Sequence, residues 1–161
     1  MTTGRPERIR LGLRRHGAKV TLKLRWDRSP ATCEALVRRL PVEEQVWHAK
    51  YAHNEIYVLV EAWQADPASE WMCAYPGPGD LLYIPHPPGL LPKKTGGPVR
   101  LVDLAYFYER GNNLYGPGGP AIGNIVATMT SVEETEEMAA ACQEVWFSGI
   151  KGETMYIEAA S

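Results

Sequence analysis

His48 and Glu55 are the pair in this sequence best suited to moving a proton, and tyrosines crowd around them. An imidazole titrates near neutrality and a nearby carboxyl supplies the second half of an acid and base pair, so both are candidate catalytic residues. Tyr51, Asn54, Tyr57, Tyr106, Tyr108 and Tyr115 are the candidate substrate-binding residues. A phenol joins a flat apolar ring to a hydrogen-bonding tip, which suits a pocket for a planar polar molecule. The same residues have plain structural readings: an imidazole bonded to a backbone carbonyl, an acid at an exposed strand start, tyrosines packed in a sheet. Asp103 shares the parity of Val99, Leu101, Ala105 and Phe107, so its carboxylate is expected to point inward, with Arg100 or Arg110 as its partner.

Other chemistries find less support. His16, His48, His53 and His86 form no H-x-H or H-E-x-x-H pattern, and Cys33, Cys73 and Cys142 form no C-x-x-C, so neither a metal nor another cofactor is expected. Gly116-Pro117-Gly118-Gly119-Pro120 lacks the lysine and hydroxyl that end a phosphate loop, and its prolines remove amide donors. An odd number of cysteines points to reduced thiols and a cytoplasmic location. No long apolar run marks a signal peptide or a membrane span.

Length and composition fix what must position these groups. With 161 residues, 45% hydrophobic and 22% charged, residues 1–161 are expected to form a single domain with an ordinary packed core. The net charge of -2 hides a basic start, Arg5 to Arg28, and an acidic cluster from Glu133 to Glu144. Because the basic residues alternate with Ile9, Leu11, Leu13, Val20, Leu22 and Leu24, they read as the wet face of a hairpin rather than as a nucleic-acid surface. Ser29 and Pro30 open a helix that Pro41 ends, with Ser29 as its cap. Strands are expected at 45–51, 55–62, 80–85, 99–109, 124–129 and 153–158, and a second helix follows a capping box of Ser131 and Glu134. Two loops rich in proline and glycine, 85–98 and 111–120, read as a lid and a pocket lining.

Pro30-x-Thr32-x-Glu34 after a hairpin resembles the helix start of cyclophilins, Trp47-His48 resembles their phenylalanine-histidine pair, and Gly123-Asn124-Ile125-Val126 resembles the opening of their final third. The resemblance implies a mainly β, cyclophilin-like closed β-barrel of about eight strands with two α-helices. The stretch Pro30 to Leu36, then Leu40-Pro41 and Trp47-His48-Ala49-Lys50-Tyr51, is similar to a domain-of-unknown-function group of small bacterial proteins with that barrel. Prolyl isomerases place an arginine after the phenylalanine-histidine pair, whereas Ala49 stands here; their phenylalanine and glutamine fall near Asn54 and Tyr57. Alanine has no donor with which to polarise a prolyl amide, which argues against isomerisation.

The expected function is therefore binding of a small polar or amide-containing molecule in a tyrosine-lined pocket, with a reaction at His48 and Glu55 left open. The alternative is a non-catalytic interaction module, or a subunit of a larger enzyme assembly, that uses Trp71, Tyr75 and the proline loop; homo-oligomers fit either reading.

Overall fold

Alternating apolar and basic residues make the first hairpin, β1 (Arg8–Leu13) and β2 (Lys19–Leu24), whose apolar side is buried and whose other side is solvated. The computed structural model describes residues 4–91 and 97–161. Residues 92–96, the middle of the expected lid, lie outside the described residues. After the hairpin come α1 (Pro30–Arg39), β3 (Val42–Gln45), β4 (Trp47–His48) and β5 (Glu55–Glu61). Next in the chain are β6 (Met72–Cys73), β7 (Leu81–His86), β8 (Leu101–Phe107), β9 (Tyr115–Gly116) and β10 (Gly119–Pro120). The chain ends with β11 (Gly123–Met129), α2 (Val132–Ser148) and β12 (Thr154–Ala160).

The main sheet is antiparallel and runs β3-β12-β1-β2-β11-β7-β8-β5-β4, with β6 beside β11. Its two end strands, β3 and β4, are separated only by Val46. One half of the segment pairs with β12 and the other half with β5, so the sheet curls back through a continuous piece of chain. The single strand expected over 45–51 is thus two short strands that face different neighbours.

Two apolar clusters lie on opposite faces of the β5, β7 and β8 ladder. Ile56, Val58, Val60, Leu81, Tyr83, Val102, Leu104 and Tyr106 join β1, β2 and both helices in the larger interior core. Leu82, Ile84, Ala105 and Phe107 face the other way, into a smaller cluster closed by Ala49, Ala52, Leu114 and Ile125. The period of two assigns alternate residues of each strand to one core or the other.

Both helix starts depart from the simple caps expected of them. Ser29 makes no side-chain cap bond, and its hydroxyl is buried without a partner. Glu70 takes over: its Oε1 accepts the Ala31 N–H at 2.9 Å, and its Oε2 accepts the Thr32 N–H at 3.0 Å and the Thr32 hydroxyl at 2.7 Å. Asn124 holds this arrangement, donating to Thr32 Oγ1 and Ala68 O and accepting the Glu70 N–H. Ser29→Ala is accordingly expected to change stability by less than about 0.5 kcal/mol, where a working serine cap is worth ~1 kcal/mol; urea unfolding of the two proteins measures the difference. At α2, Ser131 Oγ does accept the Glu134 N–H, but Glu134 turns its carboxylate to the Thr21 N–H at 2.8 Å instead of closing the box. It thereby ties the helix start to a strand amide beyond the end of the β11 ladder.

The basic start of the chain pairs internally: Arg10 with Glu158, Arg14 with Glu43, and Arg25 with Asp27. Cys33, Cys73 and Cys142 are free thiols. No helix among the described residues is long and apolar enough to cross a membrane.

Candidate ligand site beside the smaller core

Glu55, Tyr57 and Leu59 are alternate residues of β5 and therefore share one face, the face away from the interior core. On β8 that face carries Asp103, and on β7 it carries Ile84 and His86. Trp47 is paired with Tyr57 across β4 and β5, which brings its indole to the same side. A cavity of about 230 Å³ opens above this floor. Its walls include Trp47, Tyr51, Leu91, Tyr115 and Pro117.

The wall from residues 111–121 is held by hydrogen bonds to backbone carbonyls. Asn112 Nδ2 donates to Pro76 O and Glu109 O, and the Leu114 N–H donates to Ala74 O. The tip of the β9 and β10 hairpin presses on the neighbouring loop, since a Cβ at Gly118 would lie 2.9 Å from Leu90 Cδ1. Both glycine- and proline-rich loops thus reach the cavity through described residues, Leu91 from one and Tyr115 to Pro117 from the other.

The floor has an unusual charge balance. Glu55 and Asp103 are buried, at 4% and 7% exposure. His86 Nε2 donates to Asp103 Oδ2 at 3.3 Å, while Asp103 Oδ1 has no hydrogen-bond partner among the described residues. Burial, and secondarily the charge of Asp103, hold the Glu55 carboxyl well above the usual carboxylate range. Burial raises Asp103 as well, against the opposing effect of the His86 hydrogen bond. Burial also raises the Tyr57 phenol, helped by the two acids. A neutral Glu55 beside an Asp103 that keeps a donor is the arrangement these causes favour.

The candidate residues divide between two places. Glu55, Tyr57, Tyr51 and Tyr115 meet at the cavity. His48 pairs with Ile56 and faces the other side of the sheet. Its Nδ1–H donates to Ala49 O at 3.0 Å and its Nε2 accepts the Tyr108 hydroxyl at 2.8 Å, so both ring nitrogens are occupied. Burial lowers the His48 pKa, and it pushes Tyr108 up to about 12. These two rings, with Asn54, line a neighbouring cleft closed by Trp146 and Phe147 of α2. Asn54 is occupied too, donating from Nδ2 to Arg110 O. Tyr106 is fully buried in the interior core and touches neither space.

Asp103 corrects two expectations. Its parity leads to the smaller core rather than the interior, and its partner is His86, because Arg100 is paired with Asp66. Sequence reasoning passed over His86, Leu91 and the role of Trp47 as a wall; the alternation along 81–86 carries the signal for the first. Trp71, expected as an exposed contact, is covered by the guanidinium groups of Arg25 and Arg28 and packs against the smaller core. Tyr75 is exposed.

Strand order, the two helices and a cavity on the smaller-core face of the β5 and β8 pair define a cyclophilin-like, β-rich protein. A model of the family described as protein of unknown function (DUF3830) matches residues 11–157, and the chain belongs to that family. The fold is shared with McbB, solved in complex with tryptophan, at a TM-score of 0.67 and 16% identity over 95% of this chain and 45% of McbB. The chain thus corresponds to less than half the length of McbB. The mimivirus cyclophilin aligns with a TM-score of 0.49 and 13% identity, over 99% of this chain and 90% of that one. No curated protein matches the chain in sequence.

Proposed function

We propose that the protein binds a small polar molecule bearing N–H donors in the cavity beside β5, β7 and β8. Asp103 and Glu55 form the polar floor, and Trp47, Tyr51, Tyr57 and Tyr115 provide the flat walls. The supporting observation is Asp103 Oδ1, a buried acceptor on the wall of a cavity with no partner among the described residues. Buried polar atoms of folded proteins are nearly always paired, so an unpaired one on a cavity wall fits a ligand's donor. Any reaction at this site would use Glu55, the group that burial keeps protonated and able to give up a proton.

Prolyl isomerisation is outside this reading, because Ala49 lines the cavity where the resemblance places an arginine, and no arginine is among the described lining residues. Peptide isomerisation is expected at the uncatalysed rate in a coupled protease assay. Binding is tested by thermal unfolding against a panel of small amides, amines and amino acids, tryptophan included because McbB binds it. A ligand at a hundred times its Kd stabilises by about 2.7 kcal/mol, which for a chain of this size raises Tm by roughly 5–10 °C. Asp103→Asn should remove most of that shift and Tyr106→Phe none of it. A shift untouched by Asp103→Asn, or no shift with any compound, refutes the cavity as a ligand site.

A second reading, an interaction module or a subunit in a larger assembly, is favoured by Trp146 and Phe147. They stand 58% and 82% exposed near the end of α2. A protein that stays monomeric at high concentration counts against self-association through that face.

A further inference from the structure

The polar part of the cavity wall is weighted towards acid. Among the residues that line it, Glu55 and Asp103 supply carboxyl oxygens and Tyr57, Tyr51 and Tyr115 supply hydroxyls, with His86 committed to Asp103. Lys50 is the one lysine among the described lining residues, and it is an exposed residue. Asp103 makes its ion-pair contact with His86 among the described residues, which leaves Oδ1 unpaired. Trp47 and three tyrosine rings complete the wall, and an aromatic face attracts a cation.

We propose that the ligand is an organic cation with N–H donors, an amidinium or a primary ammonium on a flat apolar body, seated on Asp103 and Glu55. The inference rests on the cavity being a ligand site and adds the charge of what enters it. A neutral amide could satisfy Asp103 Oδ1 but would leave the charge of a buried carboxylate uncompensated. An anion would be repelled by the Asp103 carboxylate. A cation offsets that charge, and its positive field also stabilises a second carboxylate in the same cavity. Its arrival should therefore draw the proton from Glu55, which leaves to solvent as the Glu55 carboxylate forms. Asp103, His86, Tyr57, Lys50, Tyr51 and Tyr115 are the other titratable groups among the described lining residues, from β8, β7, β5, the segment after β4, and β9.

Titration calorimetry with benzamidine, benzylamine, benzamide and benzoate tests the proposal on the full chain. Both cations should bind at least tenfold more tightly than benzamide, and benzoate should show no binding. In buffers of different ionisation enthalpy near neutral pH, the heat should report a proton released on cation binding. Asp103→Asn should weaken the cations at least tenfold, and Glu55→Gln should abolish the proton release. If Asp103→Asn fails to fold, the proton count of wild type against Glu55→Gln decides. Equal or tighter binding of benzamide or benzoate, or cation binding with no proton released, overturns the proposal. Cavity binding of a neutral compound, lost in Asp103→Asn, would overturn the cation while leaving the ligand site intact.

Discussion

Glu70→Ala is expected to lower stability by about 3 kcal/mol and Tm by roughly 6–12 °C. The carboxylate is the N-terminal cap of α1 although it belongs to a distant loop. Pro30 occupies the first helical turn and has no N–H, so Ala31 and Thr32 are the donors in need of an acceptor, and Glu70 serves both. A negative charge at that end also meets the favourable pole of the helix. Truncation leaves two amides and the buried Thr32 hydroxyl short of a partner, and it loosens the loop that carries Trp71 beneath the smaller core. Glu70→Gln keeps one acceptor oxygen and should fall between the two. A loss under about 1 kcal/mol in urea unfolding would mean that water caps the helix well enough without Glu70.

Glu55→Gln should act in the opposite direction and through pH. The folded pKa of Glu55 is raised, so the folded chain holds a proton that the unfolded chain gives up above about pH 4.3. With more protons bound to the folded state, stability falls as pH rises through that window, by up to about 1.4 kcal/mol per pH unit for one proton. The decline ends once pH passes the folded value. Glutamine has no such proton, so the variant should match wild type in acid and exceed it from neutral pH upward. Denaturation midpoints at a series of pH values measure the two curves, and parallel curves from about pH 5 to about pH 8 would show that Glu55 is not the proton-holding acid. The result would also mark the site as a place where stability is given up for chemistry or binding.

Much of the fold was readable because strands and helices announce themselves by period. The alternation of Ile9, Leu11 and Leu13 with arginines gave β1 its buried side, and the spacing of Met138, Ala141, Cys142 and Val145 gave α2 its stripe. Half of the site followed from the same rule, since Glu55 and Tyr57 share a face with Trp47 once β4 and β5 are paired. The error lay in treating one face of β8 as interior and the other as open, when each has a core of its own. Tyr106 and Tyr108 share the parity of Val102 and Leu104, and they went inward with them. Contacts between residues far apart in sequence stayed hidden. His86 finds Asp103 across a ladder, and Glu70 finds Thr32 over a loop whose path no local pattern sets.

Val46 joins a strand half paired to β12 with a half paired to β5, and Trp47 follows it directly into the cavity wall. Fraying of β12 would release the first half of that segment and let the indole drift from Tyr57, so the shape of the cavity is coupled to a strand that supplies none of its described lining residues.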